Sequence, residues 1–518
     1  MSAQAKRKAK AVDAAEAAAP VAAAIAIPAA PIAPAAPAAP VGPVLIAAAE
    51  CAPLVKMGGL ADVVGALPKY LAQQGIDARV ILPFYRAIKD RYWDRAEHLC
   101  HFNVELGWRN QYAGLEKLTL DGVTYYLIDN EFYFGGPVYC GGEFEGEQFA
   151  FFTRAALEAI PRLDFAPRVL HCNDWHTAMM PLLLKTQYLG RPQGSLRTLL
   201  TIHNLHFQGT FSHEFLKDVL SLDDSLATPE GIAHYGCDNM LKAGIVFADK
   251  VNTVSPTYAR EICGTELGEG LDGVLRMRGD DLTGILNGID DEVWNPRTDA
   301  ALPARFSAKS AWRKGIVKTA LLEELGLDPV PAGADVPLIG MVGRLTRQKG
   351  IDLLFPTLDE ILTRDVRMVV LGSGDADLEE FLRAAEGRHK GKLCAYIGYN
   401  GPLSHRIYGA SDLFLMPSAF EPCGISQLIA LRYGTLPIVR ETGGLKDTVK
   451  PYNRFTGEGT GFSFARYDAQ DMLDCVNYAL DVWHDEPVRK GLMSQAFACD
   501  FGFARCAEAY AKLYEALN

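Results

Sequence analysis

The feature that most constrains the fold is a repeated pattern in which short apolar runs alternate with helix-length segments. The runs show little polar alternation, which is typical of strands buried on both faces of a parallel sheet. Because strands that alternate with helices form βαβ units, the pattern predicts doubly wound parallel α/β sheets. The predicted strands are 44–49, 78–82, 124–128, 169–172, 198–202 and 250–254 in a first set, and 338–342, 368–371, 393–397, 413–416 and 437–439 in a second.

The two sets of strands lie in different halves of the chain, which indicates two domains. A chain of 518 residues exceeds the roughly 250–300 residues at which a single hydrophobic core stops growing. The segments KMGGLAD at 56–62 and ETGGLKD at 441–447 share Gly-Gly-Leu-x-Asp, each between a predicted strand and a predicted helix. We therefore predict two Rossmann-like domains that face each other across one central cleft, with ligands at the carboxyl ends of the strands.

Composition excludes several classes of partner. The 51 Lys and Arg against 63 Asp and Glu give a net charge of −12, without a basic stripe that could bind nucleic acid. Eleven cysteines without a paired CxxC arrangement favour reduced thiols and a cytoplasmic protein. Outside residues 1–42, no uninterrupted apolar stretch is long enough to span a membrane. Residues 1–42 are rich in Ala and Pro and predict a disordered or polyproline-like tail rather than an export signal.

The stretch 412–434 is the first candidate for chemistry. An apolar run ends at Pro417, and a helical pattern begins near Ser426. Between them, Glu421 and Pro422 open a stiff turn, which fixes one carboxylate at the edge of the sheet where open α/β folds bind ligands. The alternative is an ordinary solvated loop carboxylate.

Two further loops and one histidine follow predicted strands of the first set. Gly58 and Gly59 open a helix after Lys56, so this loop is either a phosphate or sugar cradle or a tight turn. The segment 171–176, HCNDWH, contains several metal-ligand types, and a metal site, simple packing and a polar substrate site all remain open. His203 is either a substrate contact or a structural histidine.

A cluster of cations follows a predicted strand of the second set. Arg344 and Lys349 lie on a glycine-bounded turn between the strand that ends at Val342 and a helix predicted from Ile351. Cations beside a helix N-terminus suit a diphosphate, and solvated surface charge is the alternative.

Together these motifs resemble those of the bacterial glycogen synthases and plant starch synthases, which are retaining glucosyltransferases of the GT-B architecture. The resemblance covers residues 43–518. The motifs that carry it occur in the family's order: KMGGLADV at 56, HCNDWH at 171, TIHNLHFQG at 201, LDGVL at 271, ILNGID at 285, GRLTRQKG at 343, EPCGISQ at 421 and TGGLKD at 442.

The resemblance implies roles for particular positions. The residues that resemble the family's essential set are Glu421, His203, Asp174, Lys56, Arg344 and Lys349. The residues that resemble its substrate contacts are Lys56, Gly58, Gly59, Asp62, Asn287, Arg344, Lys349, Cys423, Gly424, Thr442, Gly443 and Gly444. It also implies an acceptor-side domain at 43–282, a nucleotide-sugar domain at 283–498 and a C-terminal helix at 499–518 that crosses back to the first domain. No metal ion or cofactor is implied.

The implied reaction transfers glucose from ADP-glucose to the nonreducing end of glycogen or another α-1,4-glucan, with retention of the anomeric configuration. UDP-glucose is the alternative donor, and a non-catalytic glucan-binding regulatory protein is the alternative from another class. A dehydrogenase is excluded because Gly372 and Gly374 are followed by Asp377, where the dinucleotide motif needs a third glycine. Ala419 and Gly136 stand where the family usually has Arg, so rim contacts differ from those of the family.

Asp375 and Asp377 resemble the D-x-D of metal-dependent glycosyltransferases. They also precede a helical pattern, where a carboxylate can accept the free N–H groups of the first turn. We predict this second role, with Arg344 and Lys349 supplying the positive charge that a metal ion would bring.

Overall fold

The computed structural model describes residues 41–332 and 334–517. Of the predicted tail at 1–42, all but the last two residues lie outside this description. The strands are β1 Val44–Ala47, β2 Ala78–Pro83, β3 Glu97–Leu106, β4 Arg109–Leu120, β5 Val123–Asp129, β6 Val169–Asn173, β7 Arg197–Ile202, β8 Thr210–Phe211, β9 Ala233–His234, β10 Cys237–Asn239, β11 Lys250–Thr253, β12 Leu282–Gly284, β13 Leu338–Val342, β14 Arg367–Gly372, β15 Leu393–Ile397, β16 Leu413–Met416, β17 Leu436–Arg440 and β18 Phe462–Phe464.

The helices fill the segments between these strands. They are α1 Gly59–Ala72, α2 Arg86–Tyr92, α3 Glu131–Phe134, α4 Gly142–Ala159, α5 Met179–Thr186, α6 His213–Leu220, α7 Met240–Phe247, α8 Pro256–Glu261, α9 Asp272–Met277, α10 Lys314–Glu324, α11 Leu358–Ile361, α12 Ala376–Arg388, α13 Gly401–Ala410, α14 Ser426–Arg432, α15 Gly443–Thr448, α16 Ala469–Trp483, α17 Glu486–Phe497 and α18 Phe503–Glu515. No helix of the described segments has the length and hydropathy needed to cross a membrane.

Two large sheets confirm the predicted fold class. The second sheet has six parallel strands in the order β15-β14-β13-β16-β17-β18. The first has nine strands in the order β12-β11-β7-β6-β1-β2-β5-β4-β3. In both sheets the chain winds outward from a central strand in one direction and then in the other. The direction reverses between β1 and β6 in the first sheet and between β13 and β16 in the second, and such switch points are where doubly wound folds bind ligands.

The first sheet departs from the prediction because it is not wholly parallel. β4 pairs antiparallel with β5, and β3 pairs antiparallel with β4. The turn between β4 and β5 consists of Asp121 and Gly122, both with positive φ. Asp-Gly between two strands is a strong hairpin signal, and the sequence analysis overlooked it.

The helix predicted from Ile351 is also wrong. The structure has a 3₁₀ turn at Ile351–Leu354, and α11 begins only at Leu358. Pro356 explains the interruption, because proline has no backbone N–H with which to continue a run of helical hydrogen bonds.

Helix α18 packs against the first sheet and α1, although it follows the second sheet in the chain. The Tyr514 hydroxyl lies 2.8 Å from His171 Nδ1, and Asn252 Nδ2 donates to the Tyr510 hydroxyl at 3.1 Å. The rings of Tyr70 in α1 and Phe503 in α18 are 5.9 Å apart. These contacts tie the end of the chain to the first sheet. The exact domain bounds 43–282, 283–498 and 499–518 stay predictions.

Candidate active site

Glu421 lies on the turn that joins β16 to α14, beside the switch point of the second sheet. Its side chain is only 6% exposed and pairs with Lys349, whose Nζ lies 2.5 Å from Oε2. The Ser418 hydroxyl donates to the same oxygen at 3.1 Å. A buried carboxylate of this kind needs such partners. Glu421 is therefore not a solvated loop carboxylate.

Glycines of two neighbouring loops allow close packing around this turn. A Cβ at Gly443, where φ is +44°, would lie 2.0 Å from the Glu421 carbonyl oxygen. A Cβ at Gly444 would lie 2.2 Å from the Cys423 carbonyl, and one at Gly350 would lie 2.2 Å from the Pro417 carbonyl. No side chain fits at these distances, so glycine is required for the loops to approach Glu421.

The cationic loop after β13 lies against the Glu421 turn. The Ala419 N–H donates to the Gln348 carbonyl at 2.9 Å, which joins the two loops. Lys349 is partly buried and reaches Glu421, whereas Arg344 is exposed and contacts the Gln348 side chain at 3.2 Å. The structure thus places one cation beside the carboxylate and the other at the rim.

Asp174 and His203 come together at the carboxyl ends of β6 and β7. Asp174 has a left-handed backbone with φ of 55°, and its Oδ1 accepts the His203 N–H at 2.7 Å. The His203 Nε2 lies 2.9 Å from Asn173 Oδ1. Burial raises the pKa of Asp174 to about 7 and lowers the pKa of His203 to about 3. His203 is therefore neutral at neutral pH, and Asp174 fixes the position of its backbone.

The other histidines of the segment 171–176 have packing roles. His171 lies between the hydroxyls of Tyr514 and Thr201, the latter 2.6 Å away. The His176 ring packs against Trp175, with 4.3 Å between the ring centroids. Within the described residues, no three His, Cys, Asp or Glu side chains are grouped as metal-ion ligands.

The loop after β1 carries Lys56 and a buried carboxylate that sequence reasoning missed. Lys56 is half exposed and pairs with Asp62, with 2.6 Å between Nζ and Oδ1. Glu50 is buried and accepts the N–H groups of Met57 and Gly58. Burial raises the pKa of Glu50. Glu50 thus shapes the loop that presents Lys56. The signal in the sequence was an acidic residue directly after a predicted buried strand.

The two sheets present their loops to each other. A Cβ on Gly59 would lie 3.5 Å from Ile425 Cδ1, and the rings of His206 and Phe420 are 6.3 Å apart. Asn287 is buried, and its Oδ1 has no hydrogen-bond partner among residues 41–332 and 334–517. Loops of the two sheets therefore meet at these points, and the substrate contacts assigned to them stay predictions.

One predicted donor is already occupied. The Gly443 N–H donates to both carboxylate oxygens of Glu261, at 3.1 and 3.0 Å. Gly444 N–H donates to the carbonyls of Glu421 and Pro422, each at 3.2 Å. Gly443 and Gly444 are among the predicted substrate contacts, but in this conformation the N–H group of neither residue is free to bind a substrate. The N–H groups of Gly424 and Ile425 donate to no acceptor in the described part of the chain.

Asp375 and Asp377 lie at a helix N-terminus as predicted, but the predicted hydrogen bonds from the first turn to their carboxylates are not formed. Helix α12 does begin at Ala376, but the Asp375 side chain accepts no hydrogen bond from its first turn. Asp377 instead pairs with Arg347, with 2.7 Å between the charged atoms, and both side chains are more than half exposed. The Asp377 carboxylate therefore bonds to Arg347 of the neighbouring loop instead of to the N–H groups of its own helix.

Two tyrosines at the end of β15 were missed by sequence reasoning. Tyr399 is 92% exposed, and Tyr396 is also exposed. An exposed aromatic ring at the carboxyl edge of a doubly wound sheet offers a face on which a planar group can stack. The signal was a pair of tyrosines directly at a strand end.

Comparisons with known proteins give a consistent result over nearly the whole described chain. Residues 43–277 match the family model "Starch synthase catalytic domain", and residues 329–492 match "Glycosyl transferases group 1". The glycogen synthase of Geobacillus thermodenitrificans (strain NG80-2) is 49% identical over 475 residues, which cover 92% of this chain and 97% of that protein. That of Bacillus cereus (strain Q1) is also 49% identical, with 92% and 99% covered. The solved catalytic domain of starch synthase IV from Arabidopsis thaliana, bound to ADP and acarbose, has a TM-score of 0.84 at 34% identity, with 92% and 99% covered.

Proposed function

The chain belongs to the family of bacterial glycogen synthases and plant starch synthases, and from this premise we propose that it transfers glucose from ADP-glucose to the nonreducing end of an α-1,4-glucan with retention of configuration. The enzyme class is a glycosyltransferase. The observation that carries the finer proposal is the pairing of buried Glu421 with Lys349 at the switch point of the second sheet. The loops after β1 and β7, which hold Lys56 and His203, approach the turn that holds Glu421.

The cations of the second sheet suit the leaving group. Departure of ADP builds negative charge on the diphosphate, and preorganised cations stabilise such charge in the transition state. We assign this role to Arg344 and Lys349, assisted by the N–H groups of Gly424 and Ile425 in place of Gly443. The 2.5 Å contact with Glu421 fixes the position of the Lys349 ammonium group before the donor binds.

The carboxylate of Glu421 suits the sugar. As the bond to ADP lengthens, the glucose ring develops oxocarbenium character, which a nearby negative charge stabilises. Glu421 would also hold ring hydroxyls. Neutral His203 would hydrogen-bond the glucose through its ring and face the anomeric centre with its carbonyl, since Asp174 fixes that backbone.

The remaining contacts complete the two substrate sites. On the second sheet, Asn287, Cys423 and Thr442 join the donor side, and Tyr399 offers a stacking face for the nucleotide base. On the first sheet, the Lys56 loop with Gly58, Gly59 and Asp62 joins the cleft from the acceptor domain. The cytoplasmic location stays a prediction.

The decisive experiment incubates the protein with ADP-glucose and glycogen and measures ADP release together with incorporation of labelled glucose. We expect both to occur in equal amounts, and β-amylase to release the label because it is added at nonreducing ends. Glycogen binding without ADP release would favour the non-catalytic alternative. Paired kcat/KM values for ADP-glucose and UDP-glucose decide the donor, with a higher value for UDP-glucose contradicting this part of the proposal.

A further inference from the structure

Helices α8 and α15 face each other across the cleft, and a carboxylate near the end of each helix accepts hydrogen bonds from the start of the other. Glu261, the last residue of α8, accepts the Gly443 N–H at the start of α15. Asp447, in the last turn of α15, accepts both the N–H and the hydroxyl of Thr257 in the first turn of α8, at 2.8 and 2.6 Å. We call Thr257, Glu261, Gly443 and Asp447 the carboxylate latch.

The reciprocal arrangement is favourable only while the two helices are in contact. A carboxylate in the last turn of its own helix lies at the negative end of the dipole, where it is disfavoured. In the latch each carboxylate also meets the positive end of the partner helix and its free N–H groups. Burial raises the pKa of Glu261, and its hydrogen bond to Gly443 opposes this rise. Separation of the sheets would remove the compensation for both carboxylates at once.

The latch also reaches the catalytic turn. The first turn of α15 packs against the backbone of the Glu421 turn. The Gly444 N–H donates to the Glu421 and Pro422 carbonyls, each at 3.2 Å. A Cβ at Gly443 would lie 2.0 Å from the Glu421 carbonyl. Since Glu261 holds Gly443 from the first sheet, a displacement of α8 is transmitted through one residue to the backbone of Glu421.

The latch gives a role to the second of the two Gly-Gly-Leu-x-Asp segments, whose aspartate has no role in the proposed reaction. Asp62 and Asp447 occupy the same place in the two Gly-Gly-Leu-x-Asp segments. Asp62 pairs with Lys56 of its own loop, whereas Asp447 pairs with Thr257 across the cleft. The same motif thus serves a substrate loop in one domain and an interdomain contact in the other.

From this geometry we infer that Glu261 and Asp447 are positioning residues that hold the cleft closed and keep the Glu421 turn in its reactive place. The inference rests on the proposed transfer reaction for its kinetic consequence but not for its structural one. Loss of the latch admits water as a competing acceptor. In that reaction the bond from C1 to the diphosphate breaks with its electron pair on ADP, C1 bonds to the water oxygen, and the water proton passes to solvent.

The structural test is hydrogen–deuterium exchange of the unliganded full chain. Glu261→Ala should raise exchange at least tenfold in the peptide that covers α15, and Asp447→Ala should do so in the peptide that covers α8. The matched control is Glu266→Ala, since Glu266 is exposed and accepts no hydrogen bond from a described residue. Exchange that rises only in the helix carrying the substitution, or not at all, would overturn the latch. This readout is independent of whether the protein transfers glucose.

The kinetic test measures labelled glucose released into water against glucose added to glycogen. Glu261→Ala should lower kcat for transfer at least tenfold, raise the hydrolysed share of donor at least threefold and leave KM for the donor within twofold. Glu261→Gln keeps an acceptor oxygen and should stay within threefold of wild type, whereas Glu261→Asp is too short and should behave like Ala. If Glu261→Ala fails to fold, the Gln and Asp variants decide. Equal activity of these two variants would contradict the inference, and an inactive wild type would contradict only the proposed function.

Discussion

At the scale of single residues, the proposed mechanism assigns to the Glu421 carboxylate the negative charge that stabilises the sugar in the transition state. Glu421→Gln keeps the shape and an acceptor for Ser418 and Lys349 but removes the negative charge. We expect kcat to fall by about 10²–10³, as for loss of one preorganised electrostatic contact, with little change in donor binding. Steady-state kinetics and calorimetric titration with ADP test this.

The hydrogen bond from Ser418 provides the control for that experiment. Ser418→Ala removes one contact to Glu421 and leaves the charge in place, so kcat should change far less than in Glu421→Gln. A Glu421→Gln enzyme with unchanged kcat and a raised KM would show that the residue acts in ground-state binding instead.

Asp174 should make stability depend on pH. Burial raises its pKa from 3.8 to about 7, so between about pH 4 and 7 the native state holds a proton that the unfolded state has released. The free energy of unfolding should therefore fall as pH rises through this range, by at most about 1.4 kcal/mol per pH unit from this group. The contribution is fully present below pH 4 and lost above pH 7.

Asp174→Asn keeps the oxygen that accepts the His203 N–H and removes the titration. Urea denaturation at pH 5, 6, 7 and 8 should show the wild type losing stability relative to the variant until pH 7 and running parallel above it. Parallel curves over the whole range would contradict the assignment of this pKa shift.

At the scale of elements, the sequence predicted most of what depends on local pattern. Apolar runs without alternation located β13 and β16 at their observed bounds, because strands buried on both faces must be continuously apolar. The Glu421 turn and the Lys349 loop were found for the same reason, since both follow such strands directly.

The features that sequence reasoning missed depend on neighbours that are distant in the chain. Glu261, which follows a strand of the first sheet, accepts the N–H of Gly443, which follows a strand of the second. Arg347 forms an ion pair with Asp377, whose carboxylate therefore does not cap α12. In each case a contact with a side chain of another loop replaces the local contact that the sequence of one segment suggests. The hairpin at Asp121 is different, because its turn was readable in the sequence.

The start of α12 carries the next prediction. Because Asp377 forms only an exposed ion pair with Arg347, Asp377→Asn should change the free energy of unfolding by no more than about 0.5 kcal/mol and leave kcat unaltered. Since Arg344 and Lys349 provide the charge that the diphosphate needs, EDTA should also leave activity intact. Activity that is lost in EDTA and restored by magnesium or manganese would move the catalytic assignment to Asp375 and Asp377.

Helix α10 is anchored by one buried amine. Lys314 Nζ donates to the carbonyls of Gly409 and Tyr433 and to the Thr435 hydroxyl, all within 3.0 Å. Lys314→Met leaves these buried acceptors unpaired, and we expect the free energy of unfolding to fall by about 3 kcal/mol. Lys309→Met, an exposed position nearby, should stay within about 0.5 kcal/mol. Equal urea midpoints for the two variants would contradict the anchoring role.

At the scale of the whole molecule, the proposed reaction needs both sheets together. Lys56 and His203 follow strands of the first sheet, and Lys349 and Glu421 follow strands of the second. Neither half holds a complete site, so a conformation in which the cleft opens lets substrates enter, and a closed one excludes water. The surface contact between Lys69 and Glu292 is exposed and adds little to hold the halves together. We expect the carboxylate latch to populate the closed cleft partly without ligands, and the bound substrates to complete the closure.

Small-angle scattering should therefore show a smaller radius of gyration when ADP and a maltooligosaccharide are both present than with either alone. The sites proposed for the two ligands lie on opposite edges of the cleft, so only their joint presence should favour closure from both sides. A variant with Arg344→Met and Lys349→Met loses the cations proposed to hold the diphosphate and should fail to compact under the same conditions. Compaction of that variant would show that closure does not depend on the donor. An unchanged radius in the wild type would show that the cleft is already closed before the substrates arrive, and the latch alone would then set its geometry.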